Sequence, residues 1–282
     1  MENQEEGIKK FASLLMAPLT WYQFKEHIIA KKRYQTDYQK FIEAIGEMSV
    51  KRQRILTIDM EFYRARVGPD RNIRERKSNT LLPIKPYKGK EMQIPTIDKR
   101  RPGRANARGI GVLYLASDER TATAEVRPWK GALVSVAKFN LIQDVKIVDL
   151  TGKKGDVPSL LWLELASHMD LQLLYEGLWE QIDREFAEPI SPEDSEINYI
   201  PTQILAEAFQ KLGAQGIVYK SAMSSTGYNL VLFEENMAKQ DEGSATLTEI
   251  IDIGYTSKPY KSAIESYQEN LQGALQGNSP NN

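Results

Sequence analysis

Residues 103–127, GRANARGIGVLYLASDERTATAEVR, constrain this chain more than any other stretch, because three kinds of local structure follow one another there. A polar loop punctuated by Gly103, Gly109 and Gly111 carries Arg104, Asn106 and Arg108. Val112-Leu113-Tyr114-Leu115-Ala116 then has the length and apolar character of one buried strand. Ser117-Asp118 supplies a helix cap, and the helix that starts at Glu119 carries Glu125 in an early turn. A basic loop, an aromatic strand and a carboxylate are delivered together, which is what a pocket for an anionic ligand needs. Taken alone, the arginines also read as solvated loop charges and Glu125 as a surface carboxylate. The glycines are not a dinucleotide fingerprint, since they precede the strand and the third is missing.

Composition excludes several classes of function. Basic and acidic residues number 37 and 38, so no global field favours nucleic acid or an anionic membrane. Cysteine is absent, which removes disulfides, thiol nucleophiles and thiolate metal sites. The two histidines, His27 and His168, are far apart, so a His-rich metal site is excluded and no metal is expected. The start, Met1-Glu2-Asn3-Gln4-Glu5-Glu6, is acidic where a signal peptide is basic. No run approaches the roughly 20 apolar residues of a membrane span. The expected location is the cytoplasm.

In order along the chain, residues 1–55 read as a helical accessory region without catalytic residues. Phe11, Leu14 and Leu15, then Trp21, Phe24 and Ile28, then Tyr38, Phe41 and Ile45 form its apolar faces. It would pack on the main domain or on a second subunit. Lys31-Lys32-Arg33 reads as a solvated cluster. Ile55–Val67 reads as the first strand, and Arg64 within it is costly unless it meets an anion. Residues 68–102 form a long Pro-rich stretch, with the charge run Arg71–Lys77, suited to a lid or a connector. Ala132–Leu141 and Val145–Leu150 read as strands, and Pro158 opens a helix to about residue 186 in which His168 is structural. Tyr199–Gln210 is a helix with Pro201 in its first turn, ended by Gly213. Gly216–Ser221 and Asn229–Phe233 form a hairpin, Ala245–Gly254 gives one more strand, and a tail from Ser257 carries a short helix at most. The divisions are 1–55, 56–256 and 257–282.

Tyr63-Arg64, Gly103-Arg104-Ala105-Asn106, Leu113-Tyr114-Leu115-Ala116 and Ala124-Glu125 together resemble the RES domain. So do Tyr199-Ile200-Pro201-Thr202-Gln203, Gly216-Ile217-Val218-Tyr219-Lys220-Ser221 and Asn229-Leu230-Val231-Leu232-Phe233. The resemblance covers about residues 56–235. It implies an α+β fold related to ADP-ribosyltransferase toxins, two packed sheets with surrounding helices. It also implies NAD as a substrate, cut at the nicotinamide–ribose bond by water or phosphate, and a toxin neutralised by an Xre-type antitoxin. The arginine, glutamate and serine that name the family would be Arg64 or Arg104, Glu125 and Ser221. Ala105 departs from the pattern, standing where an aromatic residue is common. The N-terminal region and the 68–102 stretch lie outside the compact toxin pattern.

The residue types suit that chemistry. Arg64 and Arg104 offer planar donors to a pyrophosphate. Tyr114 can stack on nicotinamide or adenine, with Tyr63, Asn106 and Asn229 as further contacts. Glu125 would face the positive charge that develops on the ribose. Ser221 would hydrogen-bond a phosphate or hold Glu125. Nicotinamide leaves as a neutral base from a cationic precursor, so neither a strong general acid nor a cofactor other than the NAD substrate is called for. The alternatives are a transferase that ADP-ribosylates a macromolecule and a non-enzymatic interaction module. A homodimer is an expected assembly.

Overall fold

The hairpin from Gly216 to Leu232 lies at the centre of the architecture. The computed structural model describes residues 21–30, 38–70, 84–152, 171–189 and 196–254, with 256, 257 and 259. In it β6 (Gly216–Lys220) and β7 (Tyr228–Leu232) pair antiparallel, buried along nearly their whole length. Beyond β6 lie β5 (Val145–Leu150), parallel to it, and then β1 (Gln53–Leu56). Beyond β7 lie β3 (Leu113–Ala116), β2 (Glu61–Val67), β4 (Leu133–Leu141) and β8 (Ala238–Gln240), and β9 (Thr246–Glu249) also pairs with β4.

One joint in this sheet is thin. β3 pairs with β7 through four register positions and β2 with β4 through seven, but β2 meets β3 only at Tyr63 and Ala116. The chain folds over at this seam. Leu113, Leu115, Val218 and Leu230 from one half share a single apolar cluster with Phe62, Phe139 and Leu141 from the other. The two packed layers expected from the resemblance are therefore the two halves of one hydrogen-bonded sheet. Past the seam β2 and β3 no longer pair, and Arg64 lies at that opening.

Helices cover the outer face of the β5–β6–β7 half. They are α1 (Trp21–Ala30), α2 (Gln39–Ser49), α4 (Leu171–Ala187) and α5 (Ile200–Lys211). Phe24, Ile28, Ile45, Ile182 and Phe209 pack there with Val148, Ile217 and Val231, so the N-terminal helices belong to the main core. α2 and α5 approach closely at Gly46, where an added Cβ would lie 3.0 Å from Leu212. A short helix, α3 (Glu119–Glu125), lies against β2, β3 and β4. Pro201 stands in the first turn of α5, and Gly213, at φ +83°, follows its end as expected.

Two sequence expectations are corrected. Residues 53–55 are not helical but belong to β1: register with β5 overrides the local spacing, and the proposed boundary at residue 55 falls inside this strand. The single strand over Ile55–Val67 is two strands, separated by a turn in which Asp59 adopts φ 68°. Residues 1–20, Lys31–Arg33, Arg71–Lys77, Pro158, His168 and the tail beyond Pro259 lie outside the described residues. Among those described, no helix is long and apolar enough to cross a membrane.

β1 is tied to the helical layer by the residue just before it. Arg52 grips Asp183 of α4 with two hydrogen bonds of 2.7 and 2.8 Å, and its guanidinium lies 4.7 Å from the centre of the Trp179 ring. The two side chains are 19% and 11% exposed, whereas Arg54 and Asp149, 2.7 Å apart on neighbouring strands, are 47% and 27% exposed. Burial raises the Asp183 pKa and Arg52 opposes that shift. Arg52→Ala should therefore destabilise by about 2–3 kcal/mol by stranding a largely desolvated carboxylate. Arg54→Ala should cost less than about 1 kcal/mol. Urea unfolding of the two variants checks the ordering, and equal losses would contradict it.

Candidate active site

Asp118 starts α3. Its Oδ1 accepts the Thr121 backbone N–H at 2.7 Å, and its Oδ2 accepts the Ser117 and Thr121 hydroxyls, each at 2.7 Å. Burial pushes its carboxyl up, but these hydrogen bonds outweigh it and hold the pKa below the usual carboxylate range. The helix is only seven residues long, so Glu125 is in its last turn and not an early one. Pro128 follows closely and Arg127 takes φ 45°, which ends the helix and leaves Glu125 at its tip.

The central hairpin supplies the partners of that carboxylate. Ser221 follows β6 directly and donates to Glu125 Oε1 at 2.6 Å, and Asn229 of β7 donates its amide to the same oxygen at 2.7 Å. Ser221 Oγ in turn accepts the Met223 N–H at 3.0 Å, which leaves its proton to Glu125. Both donors are buried. With Oε1 occupied twice, Oε2 is the oxygen left for a ligand. The turn of the hairpin packs hard on α3. A Cβ at Gly227 would fall 2.0 Å from the Thr121 hydroxyl, so only glycine lets the two elements approach this closely.

Glu125 and Asn229 line a cavity of about 320 Å³ together with Tyr63, Arg64, Arg104 and Tyr114. Six of the eight residues expected from the sequence thus share one space, and Ser221 reaches it through Glu125. Arg64 Nη1 bridges the unpaired edges of β2 and β3 by donating to the Tyr114 carbonyl at 2.8 Å, while its Nε is buried without a partner among the described residues. Burial above all, and then the neighbouring Arg66, lower its pKa to about 10, so it remains a cation at neutral pH. Arg104 Nη1 donates to the Glu185 carbonyl at 2.6 Å, and its guanidinium is 5.9 Å from the Tyr199 ring centre.

Asn106 is placed differently. Its amide donates to the carbonyls of Arg101, Ala107 and Ile110, and its Oδ1 accepts the Tyr114 hydroxyl at 2.8 Å. It braces the loop, and no polar group is left over for a ligand. Gln203 of α5 adds to the brace by donating to the Gly103 and Asn106 carbonyls. Two aromatic residues of the cavity were missed: Tyr199, which precedes α5, and Tyr219 of β6. Both stand in motifs that read as fold, where an aromatic beside Pro201 or within an apolar strand looks like core. Burial raises the pKa of Tyr114 and Tyr219, so both phenols stay neutral. His27 packs against Tyr38, with ring centres 4.6 Å apart. Among the described residues no group of three or more His, Cys, Asp or Glu is placed to hold a metal.

The Tyr114 hydroxyl also accepts the Ala105 N–H at 3.1 Å. Tyr114→Phe therefore leaves Ala105 N–H and Asn106 Oδ1 buried without this partner, and should cost about 1–3 kcal/mol. Thermal unfolding measures it, and an unchanged midpoint would show that the loop is not held through this hydroxyl.

The RES domain model matches residues 85–249, more than half of the 282-residue chain. The match begins later than residue 56 and runs further than 235, taking in β8 and β9 and leaving Arg64 outside. Among solved structures the chain is similar to one in the crystal structure of the M. tuberculosis MbcT–MbcA toxin–antitoxin complex. The identity is 13%, the alignment covers 73% of this chain and 89% of that one, and the TM-score is 0.35. No curated protein matches. By the family match and its α+β architecture, the chain belongs to the RES domain family.

Proposed function

We propose that this chain is an NAD-degrading enzyme that breaks the bond between nicotinamide and ribose. The observation that carries the proposal is the carboxylate of Glu125, fixed through one oxygen by Ser221 and Asn229 in a cavity with two arginines and four tyrosines. Breaking an N-glycosidic bond to a pyridinium develops positive charge on the ribose. Glu125 Oε2 would face that charge, already oriented and unable to turn away. Arg64 and Arg104 would hold the pyrophosphate, and flat rings would stack on the phenols. Water or phosphate would then complete the reaction at the ribose carbon. Ser221, spent on Glu125, acts as a positioning group and not as a phosphate contact.

An enzyme that empties the NAD pool harms the cell that makes it. That gives the chain the character of a toxin, working in the cytoplasm, with an Xre-type antitoxin as the partner that restrains it. Incubating the purified chain with NAD tests the chemistry. Free nicotinamide with ADP-ribose or its phosphorylated form supports the proposal. Label transferred to a macromolecule would make the chain a transferase, and intact NAD would leave a binding module.

Glu125→Gln should lower turnover by about a hundred- to a thousand-fold with little change in NAD affinity. The amide oxygen of glutamine can still accept from both Ser221 and Asn229, so the loss isolates the missing charge. A folded variant that cleaves NAD at the wild-type rate would remove Glu125 from the chemistry. Arg64→Lys should weaken NAD binding about ten- to a hundred-fold, because an ammonium cannot reproduce the planar fork. Wild-type affinity in that variant would take Arg64 out of the site.

A further inference from the structure

Arg64 and Tyr114 are the shared wall of a second and larger cavity, of about 660 Å³. Its lining comes mainly from residues 94–102 and 106–112, and Glu125 is not among them. Six cationic side chains line it against one acid, Asp98. Arg100 is spent inside the loop, donating to the Pro95 and Gly109 carbonyls, and Arg108 pairs with Glu196 at the surface. Arg66 gives one donor to the Glu91 carbonyl and lies over the Tyr87 ring. Lys99 and Arg101 are exposed, and their side chains make no hydrogen bond or ion pair among the described residues.

Asp98 does not balance these charges. A hydrogen bond from Thr96 is the main cause holding its carboxyl below the ordinary range, so it contributes one negative charge. Arg64 Nε, buried and without a partner among the described residues, adds a desolvated donor to the shared wall. Ile94, Pro95, Ile110 and Val112 give the same cavity an apolar side. Surplus cations beside an apolar surface, in a space of ligand size, suit a molecule with several negative charges at one end and a flat apolar ring at the other.

We propose that this cavity binds a nucleoside polyphosphate at a site separate from the one that cleaves NAD. Lys99, Arg101 and the remaining donors of Arg66 take the phosphates, and the apolar side takes the base, while Arg64, assigned to the NAD pyrophosphate, stands in the wall between the two sites. The inference goes beyond the proposed function and needs no bond to be broken.

The test is calorimetric titration of the full chain with ATP, inorganic tripolyphosphate and adenosine. ATP should bind, tripolyphosphate should bind more weakly, and adenosine should show no measurable binding. Lys99→Glu combined with Arg101→Glu should weaken ATP by at least about tenfold while the KM and kcat for NAD stay within about twofold. Lys99→Gln with Arg101→Gln, which removes charge without reversing it, should show the same split with a smaller loss. Absence of ATP binding, or ATP binding unchanged in both double variants, overturns the site. Tripolyphosphate binding as tightly as ATP overturns the nucleoside part of the proposal. A KM for NAD that rises in parallel with the ATP loss would make the cavity the far end of the NAD cleft, and would overturn its separateness. The calorimetric arm involves no turnover, so it stands whether or not NAD is the substrate.

Discussion

Two hydrogen bonds to one carboxylate oxygen organise the functional half of this molecule. Glu125 is at the tip of a seven-residue helix, too short to be stable by itself, and its donors come from residues about a hundred positions later in the chain. The contact therefore exists only if three things are in place. The Asp118 cap must start α3 at the right residue, the central hairpin must present Ser221 and Asn229 side by side, and Gly227 must let helix and hairpin touch. A carboxylate held through one oxygen cannot rotate to meet a substrate, so its direction is set before any ligand arrives. That is the preorganisation that charge stabilisation in a transition state requires.

The seam between β2 and β3 is the second constraint, and it works by absence. Had these strands paired along their length, Arg64 would be one more residue of a continuous sheet. Pairing at Tyr63 and Ala116 alone leaves a gap across which the guanidinium reaches the Tyr114 carbonyl. The arginine is desolvated there, and its lowered pKa reflects that cost. Retaining a buried cation in a strand with Nε unpartnered among the described residues makes sense where an anion is to complete it. Both cavities share this side chain, so the seam is where the binding surfaces of the protein converge.

Features written in short stretches of sequence were legible. The Ser117-Asp118 cap, the paired apolar runs around residues 216–233 and the Gly213 stop depend on neighbours a few residues away, and the structure has them where the pattern put them. The residues singled out near Glu125 converge for the same reason, since the hairpin and the loop–strand–helix unit each deliver several at once. Features that depend on distant partners were not legible. β1 is four residues after a run of helices, and only β5 makes it a strand. Asn106 looks like a ligand contact until the carbonyls of its own loop are seen to take its amide. Tyr199 and Tyr219 read as core because an aromatic in an apolar setting carries no mark of facing a cavity. The second cavity escaped notice because its cations come from β2, from the loop before β3 and from a Pro-rich stretch whose course in space local pattern does not reveal.

The orientation of Glu125 is the central claim, and the structure of the Glu125→Gln chain in complex with NAD measures it most directly. The account predicts that the glutamine carbonyl oxygen still accepts from Ser221 and Asn229, while its amide nitrogen faces the nicotinamide ribose at about 3 Å. The pyrophosphate should then lie against Arg64 and Arg104. NAD bound with its nicotinamide ribose away from residue 125, or a glutamine turned so that Ser221 and Asn229 are released, would contradict the account.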